Sequence, residues 1–590
     1  MIVQTALDQM VKAQLLRRQS TAEDTNLGAG YVFKHALTQE AAYRSLPHRQ
    51  RSVVHRRVAE CYEQLFAERL DEHAAMLAYH FAEAGDQTRA LSYSLRAGDH
   101  AMAVYAVAEA LLYFDRALAL VVAGCPAIEE QLLHLFGRRG RALELESRFE
   151  DADDNYALME RFAVDRSQAR LELAAVLAQT KLRSFVNQLF DPVEGRKLAE
   201  RALALAETLD DRRSQAEIYW DLMNQARFNV GQQEEAIAAG EHALEIARAI
   251  GWQEQVAAIL NDIADVFADS GRFDEGNAAL EEARTLWRDL GNQPMLADNL
   301  SNTGVWRIMQ GDFQGAIVCF DEAHEISTRI KNVWGQGYSR SVRGIACWQL
   351  GRYDQTIEDF TIGSALSDEA GFLIGQVLPR IQLAFVYLEL GCPHLGLEVM
   401  QRLSHSIATP VPQFTPSLSV VLAAFQEING LAAAAGFRGS PDDVDPMQGF
   451  WVFNFASLSW IVRFLHTGRL EEAVAMCARH IDVMQGYNIV AFQTDARLFA
   501  SRALVQLGQL TEAREQLSTA RALAEGVGQR RILWQVLPLL ADLTPDTSAA
   551  EALRAEAAAI MADVRDQLPT EELCAGFLAL PDVRRILGKV

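Results

Sequence analysis

At 590 residues, half of them apolar and about a quarter charged, the chain has the composition of a folded globular protein, not a disordered or collagen-like one. Its formal net charge of −23 and pI near 5.1 argue against a general nucleic-acid or anionic-membrane binder, because like charges repel. No apolar run approaches the roughly 18–20 residues needed to span a bilayer, so the length points to several soluble domains or one long repeat array.

The N-terminal stretch MIVQTALDQMVKAQLLRRQ carries Asp8 and Lys12 inside its apolar pattern. It reads as an amphipathic helix and not as a signal peptide. Residues 1–60 hold nine Lys/Arg and five Asp/Glu, or +4, which leaves −27 for the rest. The basic cluster RSLPHRQRSVVHRRVAE contains Arg44, Arg49, Arg51, Arg56 and Arg57. It is either a docking patch for phosphate or an acidic partner, or a solvated helix face beside an acidic array. It lacks the interleaved aromatic residues that single-stranded nucleic acid needs.

From residue 85 onward the pattern is one of helical hairpins. Gly85, Ala90 and Ala97 mark an early one, and Phe136, Gly140, Phe149, Ala152 and Tyr156 another. The repeat then becomes regular. Glycines fall at 231, 271, 311, 351 and 391, a period of forty, and the register returns at Gly468 and Gly508. Five residues after each stands a small residue: Ala236, Gly276, Ala316, Thr356, Gly396, Ala473 or Ala513. Seven residues before the first five stand Asn224, Ala264, Gly304, Gly344 and Ala384.

The glycine ends a first helix in a sharp left-handed turn. The small residues let the two helix axes approach, and Phe273, Phe313 and Tyr353 can fold back over the junction. A second glycine set at 251, 291, 371 and 528 ends the second helix, with Lys331 as an imperfect member. The predicted fold is therefore all-α, a tetratricopeptide-like (TPR-like) α-solenoid of about 40-residue hairpins. Each hairpin leaves a face that only a stacked neighbour can bury.

In such arrays the first helices line a concave surface. Positions ten, six and three before the turn glycines give a candidate binding groove of Asp221, Gln225, Phe228, Asn261, Asp265, Ser301, Ile308 and Trp348. A mixed polar and apolar groove suits ligand recognition. Alternatively, the polar residues face water and Trp348 packs in the core. If the groove is functional, replacing Asn261 and Asp265 by Ala should abolish binding and leave the melting temperature nearly unchanged.

Pro410, Pro412, Pro416, Pro441 and Pro446 cluster in one segment. Proline removes a backbone donor and disfavours helix before it, so residues 406–450 are expected to be an irregular break. A shorter second array should follow over 451–590, capped by two short helices in PTEELCAGFLALPDVRRIL.

Signs of chemistry are sparse. There is no G-x-x-x-x-G-K-[ST] loop, no HExxH, no G-x-S-x-G and no dinucleotide fingerprint. His73 and His80 lie seven apart on one predicted helix, but a metal would need more ligands. The seven scattered cysteines form no CxxC pair and read as reduced thiols of a cytoplasmic protein. No cofactor and no catalytic residues are expected.

The stretch YVFKHALTQEAAYRSLPHRQRSVVHRRVAECYEQL at 31–65, through Phe33, His35, Ala36, Ala41, Ala42, Tyr43, Leu46, Arg51, His55 and Ala59, resembles a recurrent junction in large bacterial signalling proteins. In that family a class III nucleotide cyclase or a DNA-binding domain, as in LuxR- or maltose-activator-like regulators, precedes a STAND/AAA-type ATPase. The ATPase ends in a winged-helix-like segment that runs into a TPR-like array. FLALPDVRRIL is similar to the family's C-terminus.

The resemblance implies that residues 1–60 are the winged-helix-like end of an ATPase module and that 61–405 begin the array. The phosphate loop and Mg²⁺-binding acid would lie upstream of Met1, so neither ATPase nor cyclase activity transfers. The expected role is a non-catalytic sensor scaffold. It would bind a protein, peptide or small effector and act on an ATPase or cyclase output, in trans or in a longer chain. The alternatives are a free-standing TPR scaffold, a DNA-binding regulator using residues 1–60, or an enzyme with an unrecognised site.

Overall fold

The computed structural model describes residues 2–19, 30–104, 106–184, 189, 191–227, 232–270, 272–371, 373–406, 415–431, 439–444, 450–487 and 489–588. They fall into two compact units, Met1–Asp211 and Arg212–Val590. The all-α hairpin architecture expected from the glycine period is the architecture observed.

The first unit opens with helix Ile2–Lys12, followed by strand Leu16–Gln19 paired antiparallel with Gly30–Phe33, Leu16 opposite Phe33. The reading of residues 1–19 as one helix is corrected here. Gln14 takes φ 60°, a conformation through which a right-handed helix does not continue, and Leu16 becomes the buried residue of a strand. Helices Ala36–Ser45 and His48–Leu65 follow, separated at Pro47, which disfavours helix in the residue before it.

Hairpins begin at Ala74–Glu83 and Gln87–Ala103, which turn at Gly85 with φ 75°. Later in this unit Glu129–Leu145 packs on Phe149–Arg166. Gly140 lies directly beneath Tyr156, and Gly98 beneath Phe114, so that a β-carbon at either glycine would overlap the ring. The first is a close helix approach of the kind for which Gly140 was singled out, and Gly98 makes another that the sequence pattern did not name.

The second unit carries the regular repeats. Gly311, Gly351 and Gly391 sit in inter-helix turns with φ of 85°, 73° and 77°. Gly231 and Gly271 lie outside the described residues. The small residues Ala236, Gly276, Ala316, Thr356, Gly396, Ala473 and Ala513 are all buried, and Phe320 and Phe360 are fully buried against Gly304 and Gly344. Burying one such ring stabilises by roughly 1.5–3 kcal/mol, so the repeated small-under-large pair is the main apolar joint within these hairpins. Lys331 does adopt the left-handed conformation, φ 57°, at the place of the missing glycine.

Residues 406–450 are not irregular throughout: Thr415–Ile428 is a helix packed against Phe450–His466. The prolines do not prevent it, because Pro416 stands in its first turn, where a missing N–H costs no hydrogen bond. The C-terminal helices Glu571–Ala579 and Pro581–Leu587 occur as expected.

One arrangement in this unit was not expected. The chain returns on itself, so that helices Arg530–Asp542 and Thr547–Gln567 touch Val333–Gln349 and Tyr353–Glu369. Trp534 Nε1 donates to Tyr353 Oη (3.0 Å), Tyr353 N donates to Gln567 Oε1 (3.2 Å), and Gln529 Nε2 donates to Gln349 Oε1 (2.5 Å).

Candidate functional site

This return bounds a partly open cavity of about 490 Å³ within the second unit. Its wall is built mainly from the first helices of successive hairpins: Val333–Gln349, Leu373–Glu389, Phe450–His466, Gln493–Gln506 and Arg530–Asp542. The Leu580–Asp582 corner completes it. Most of the wall is apolar, including Phe385, Phe455, Leu458 and Leu498.

Two arginines interrupt the apolar lining, and they differ in kind. Arg531 is 3% exposed. It donates to Asp495 (2.5 Å), Glu389 (2.9 Å) and Gln349 Oε1 (3.1 Å), and its guanidinium lies 4.2 Å from the Trp348 ring centre. Burial would lower its pKa, but Asp495 and Glu389 outweigh that and hold it above the ordinary range. Burial raises Glu389 against the pull of Arg531.

Arg502 has no such carboxylate. It donates to the neutral Gln535 Oε1 (3.1 Å), its guanidinium lies 5.7 Å from the Phe499 ring centre, and burial lowers its pKa. The carboxylate at this end of the wall, Asp582, is engaged by Arg585 (2.8 Å).

Three buried polar atoms of lining residues have no hydrogen-bond partner among the described residues: Trp348 Nε1, Gln349 Nε2 and Asn454 Oδ1. The Gln349 amide is oriented by Gln529 and Arg531, which both donate to its oxygen, so its NH₂ group is what remains. A buried polar group left unsatisfied costs about 1–3 kcal/mol.

The candidate groove residues are distributed differently from the expectation. Trp348 lines the cavity. Ile308 and Ser301 are buried in the packed interior, as are Asp221 and Gln225, and Phe228 lies outside the described residues. Asn261 is buried and belongs to a polar network. Asn299 Nδ2 donates to its Oδ1 (2.9 Å), and its own Nδ2 donates to Asp298 Oδ2 (3.3 Å). Asp265 accepts from Trp306 Nε1 (3.2 Å). Burial, then the charge of Asp265, pushes Asp298 up to about 6. The expectation that replacing Asn261 and Asp265 leaves stability unchanged is therefore corrected: the change would take one hydrogen bond from Asn299, which keeps Leu280 O and Arg284, and would remove the acceptor of the buried Trp306 Nε1.

The offsets that led to Trp348 also hold where they were not applied. Counting back ten, six and three from Gly468 gives Leu458, Val462 and Leu465, and counting back ten and six from Gly508 gives Leu498 and Arg502. All five line the cavity. Arg531, Glu389 and Asn454 lie off these offsets and were not legible.

In the first unit, Arg49, Arg56 and Arg57 are exposed, while Arg51 is half-buried with its guanidinium 5.0 Å from the Tyr43 ring centre. Beside them Leu37, Val53 and Val54 are exposed, and helix Ala36–Ser45 buries none of its residues. His80 Nδ1 lies 2.8 Å from His55 Nδ1, and the His73 ring packs on Phe66. No cluster of three metal-ligating side chains occurs among the described residues, and none of their helices is long and apolar enough to cross a membrane.

Residues 255–329 match the tetratricopeptide repeat family. Among curated proteins none matches the chain. Solved structures with similar helical arrays include BtubC from P. vanneervenii, at 21% identity over 38% of this chain and 89% of that one, TM-score 0.31. The Cut9–Hcn1 hetero-tetramer of the APC/C is similar at 13% identity over 94% and 99%, TM-score 0.38. A STAND protein with a tetratricopeptide repeat sensor from Pyrococcus horikoshii is similar at 12% identity over 79% of this chain, TM-score 0.37. The chain spans 59% of that protein's length.

Proposed function

We propose that this protein is a non-catalytic sensor scaffold whose second unit receives a small effector in this cavity. Tetratricopeptide repeats build interaction scaffolds, and the hairpins here are of that kind. The observation that favours a small ligand over an extended peptide is the cavity itself. It is a partly open cleft bounded on one side by the chain's return, and its volume falls within the ~300–1,000 Å³ typical of small-molecule sites. Its lining holds Trp348 Nε1, Gln349 Nε2 and Asn454 Oδ1 without partners.

The output side of the proposal rests on the first unit. A helix that buries nothing, exposed Leu37, Val53 and Val54, and the exposed arginines 49, 56 and 57 are groups suited to meeting an acidic protein surface with apolar patches. The resemblance of residues 31–65 to the end of a STAND-type ATPase module supports an ATPase or cyclase output as the partner. A free-standing scaffold is the second reading, favoured if no such output domain binds this face.

A neutral, environment-sensitive dye such as Nile red tests the cavity. Saturable one-site binding to the full chain is expected, with loss of binding in Leu458→Trp, which fills the cavity from its wall. Dye binding that never saturates, or that is unchanged in a folded Leu458→Trp, would overturn the assignment. The chain should also show no ATP turnover of its own. Turnover abolished by a point mutation in this chain would defeat the non-catalytic reading.

A further inference from the structure

We infer that the cavity takes an amphipathic anion, an apolar body ending in one carboxylate or similar oxyanion, and that Arg502 is the residue that binds its charge. The inference rests on the effector-cavity reading above and adds the chemistry of the ligand. The apolar wall calls for a hydrocarbon or aromatic body, since burying it away from water supplies affinity at roughly 25 cal/mol per Å².

The charges decide the rest. Glu389 and Asp495 are already occupied: Glu389 accepts from Tyr353 Oη and Arg531, and Asp495 accepts from Arg531. They pin the wall together and offer little to a cation. Arg531 is likewise engaged, with three directed partners, two of them carboxylates. Arg502 is the exception. A guanidinium carries five donors in a planar fork and stays protonated in proteins. Here it meets one neutral oxygen, that of Gln535, and no carboxylate of the described residues lies within ion-pair distance of it.

A partly desolvated cation is costly, and the carboxylates whose charge reaches Arg502, Asp582 first and then Glu389 and Asp495, act from beyond ion-pair distance. A ligand carboxylate, bidentate on the fork, relieves that cost with short charge-assisted bonds.

Calorimetric titration of the full chain with decanoate, decanol and decyltrimethylammonium, each below its aggregation concentration, separates the terms. Decanoate should bind about tenfold or more tightly than decanol, the size expected for a charge-assisted bond, and the cation should not bind. In Arg502→Gln, decanoate should fall to the affinity of decanol while decanol is unchanged, and Arg502→Lys should keep part of the preference. Equal binding of decanoate and decanol to the wild-type chain would overturn the role of Arg502 and leave the cavity reading intact. Preference for the cation would overturn it by making Glu389 or Asp495 a ligand group. Binding of none of the three would remove the cavity reading as well. The wild-type comparison stands even if a variant fails to fold.

Discussion

Replacing Arg531 by Met removes one charge from the point where the chain closes on itself, and the structure says what that should cost. Methionine keeps much of the side chain's length and its contact with the Trp348 ring, so the cavity wall is conserved in shape. What is lost is the cation that lies 2.5 Å from Asp495 and 2.9 Å from Glu389. Both carboxylates are buried, their side chains 9% and 7% exposed. Removing one partner of a buried ion pair costs about 3–5 kcal/mol.

Glu389, already raised by burial, can escape part of the penalty by taking up a proton. The cost should therefore lie toward the lower end at mildly acidic pH and grow as the pH rises. A triple variant with Arg531→Met, Glu389→Gln and Asp495→Asn keeps the shapes and removes all three charges, so it should recover most of the loss. Urea denaturation followed by tryptophan fluorescence reads this directly, because Trp348 and Trp534 flank the network. A single variant costing under about 1 kcal/mol, or a triple variant no more stable than the single, would refute the claim that an uncompensated buried charge is the cause.

Three further outcomes are expected. His480 is buried, donating from Nε2 to the Phe492 carbonyl (3.2 Å), with Nδ1 2.6 Å from Ser457 Oγ, and burial lowers its pKa to about 4. The stability this neutral ring contributes is complete above pH ~6.5 and is lost as the pH falls toward 4, by up to about 3 kcal/mol; His480→Gln should flatten that part of the pH–stability profile, and an unchanged profile counts against the assignment. Asp298 is the opposite case, with a folded-state pKa raised to about 6. It costs stability as the pH rises from about 4 through 6, so Asp298→Asn should raise the unfolding midpoint at pH 7 and do little at pH 4. Lys331 holds φ 57° where the other repeats have glycine, so Lys331→Gly should stabilise by about 1 kcal/mol in a thermal melt, and destabilisation would show that the cap is not strained.

The sequence alone determined the local grammar of the protein. A glycine every forty residues fixes where helices turn, because a left-handed residue is a property of one position and its neighbours. The small residues five after and seven before each glycine fix which helix faces meet, because 3.6-residue periodicity turns spacing into direction. Gly311, Gly351 and Gly391 in turns, Ala316 and Gly396 in the seam, and Phe320 and Phe360 over Gly304 and Gly344 all follow from that. The same counting reached Trp348 and, continued to the last repeats, reaches Arg502.

It failed at Asn261 and Ser301, because a polar side chain on an inner face reads identically whether it meets a ligand, water or another amide such as Asn299. What only the tertiary structure decided is the closure. Gln349 meets Gln529, Tyr353 meets Trp534, and Glu389 meets Arg531 across 142 to 181 residues of sequence. No local period encodes such a meeting. It depends on small twists summed over many hairpins, and a slight change in each would move Arg531 away from its carboxylates and take one wall off the cavity.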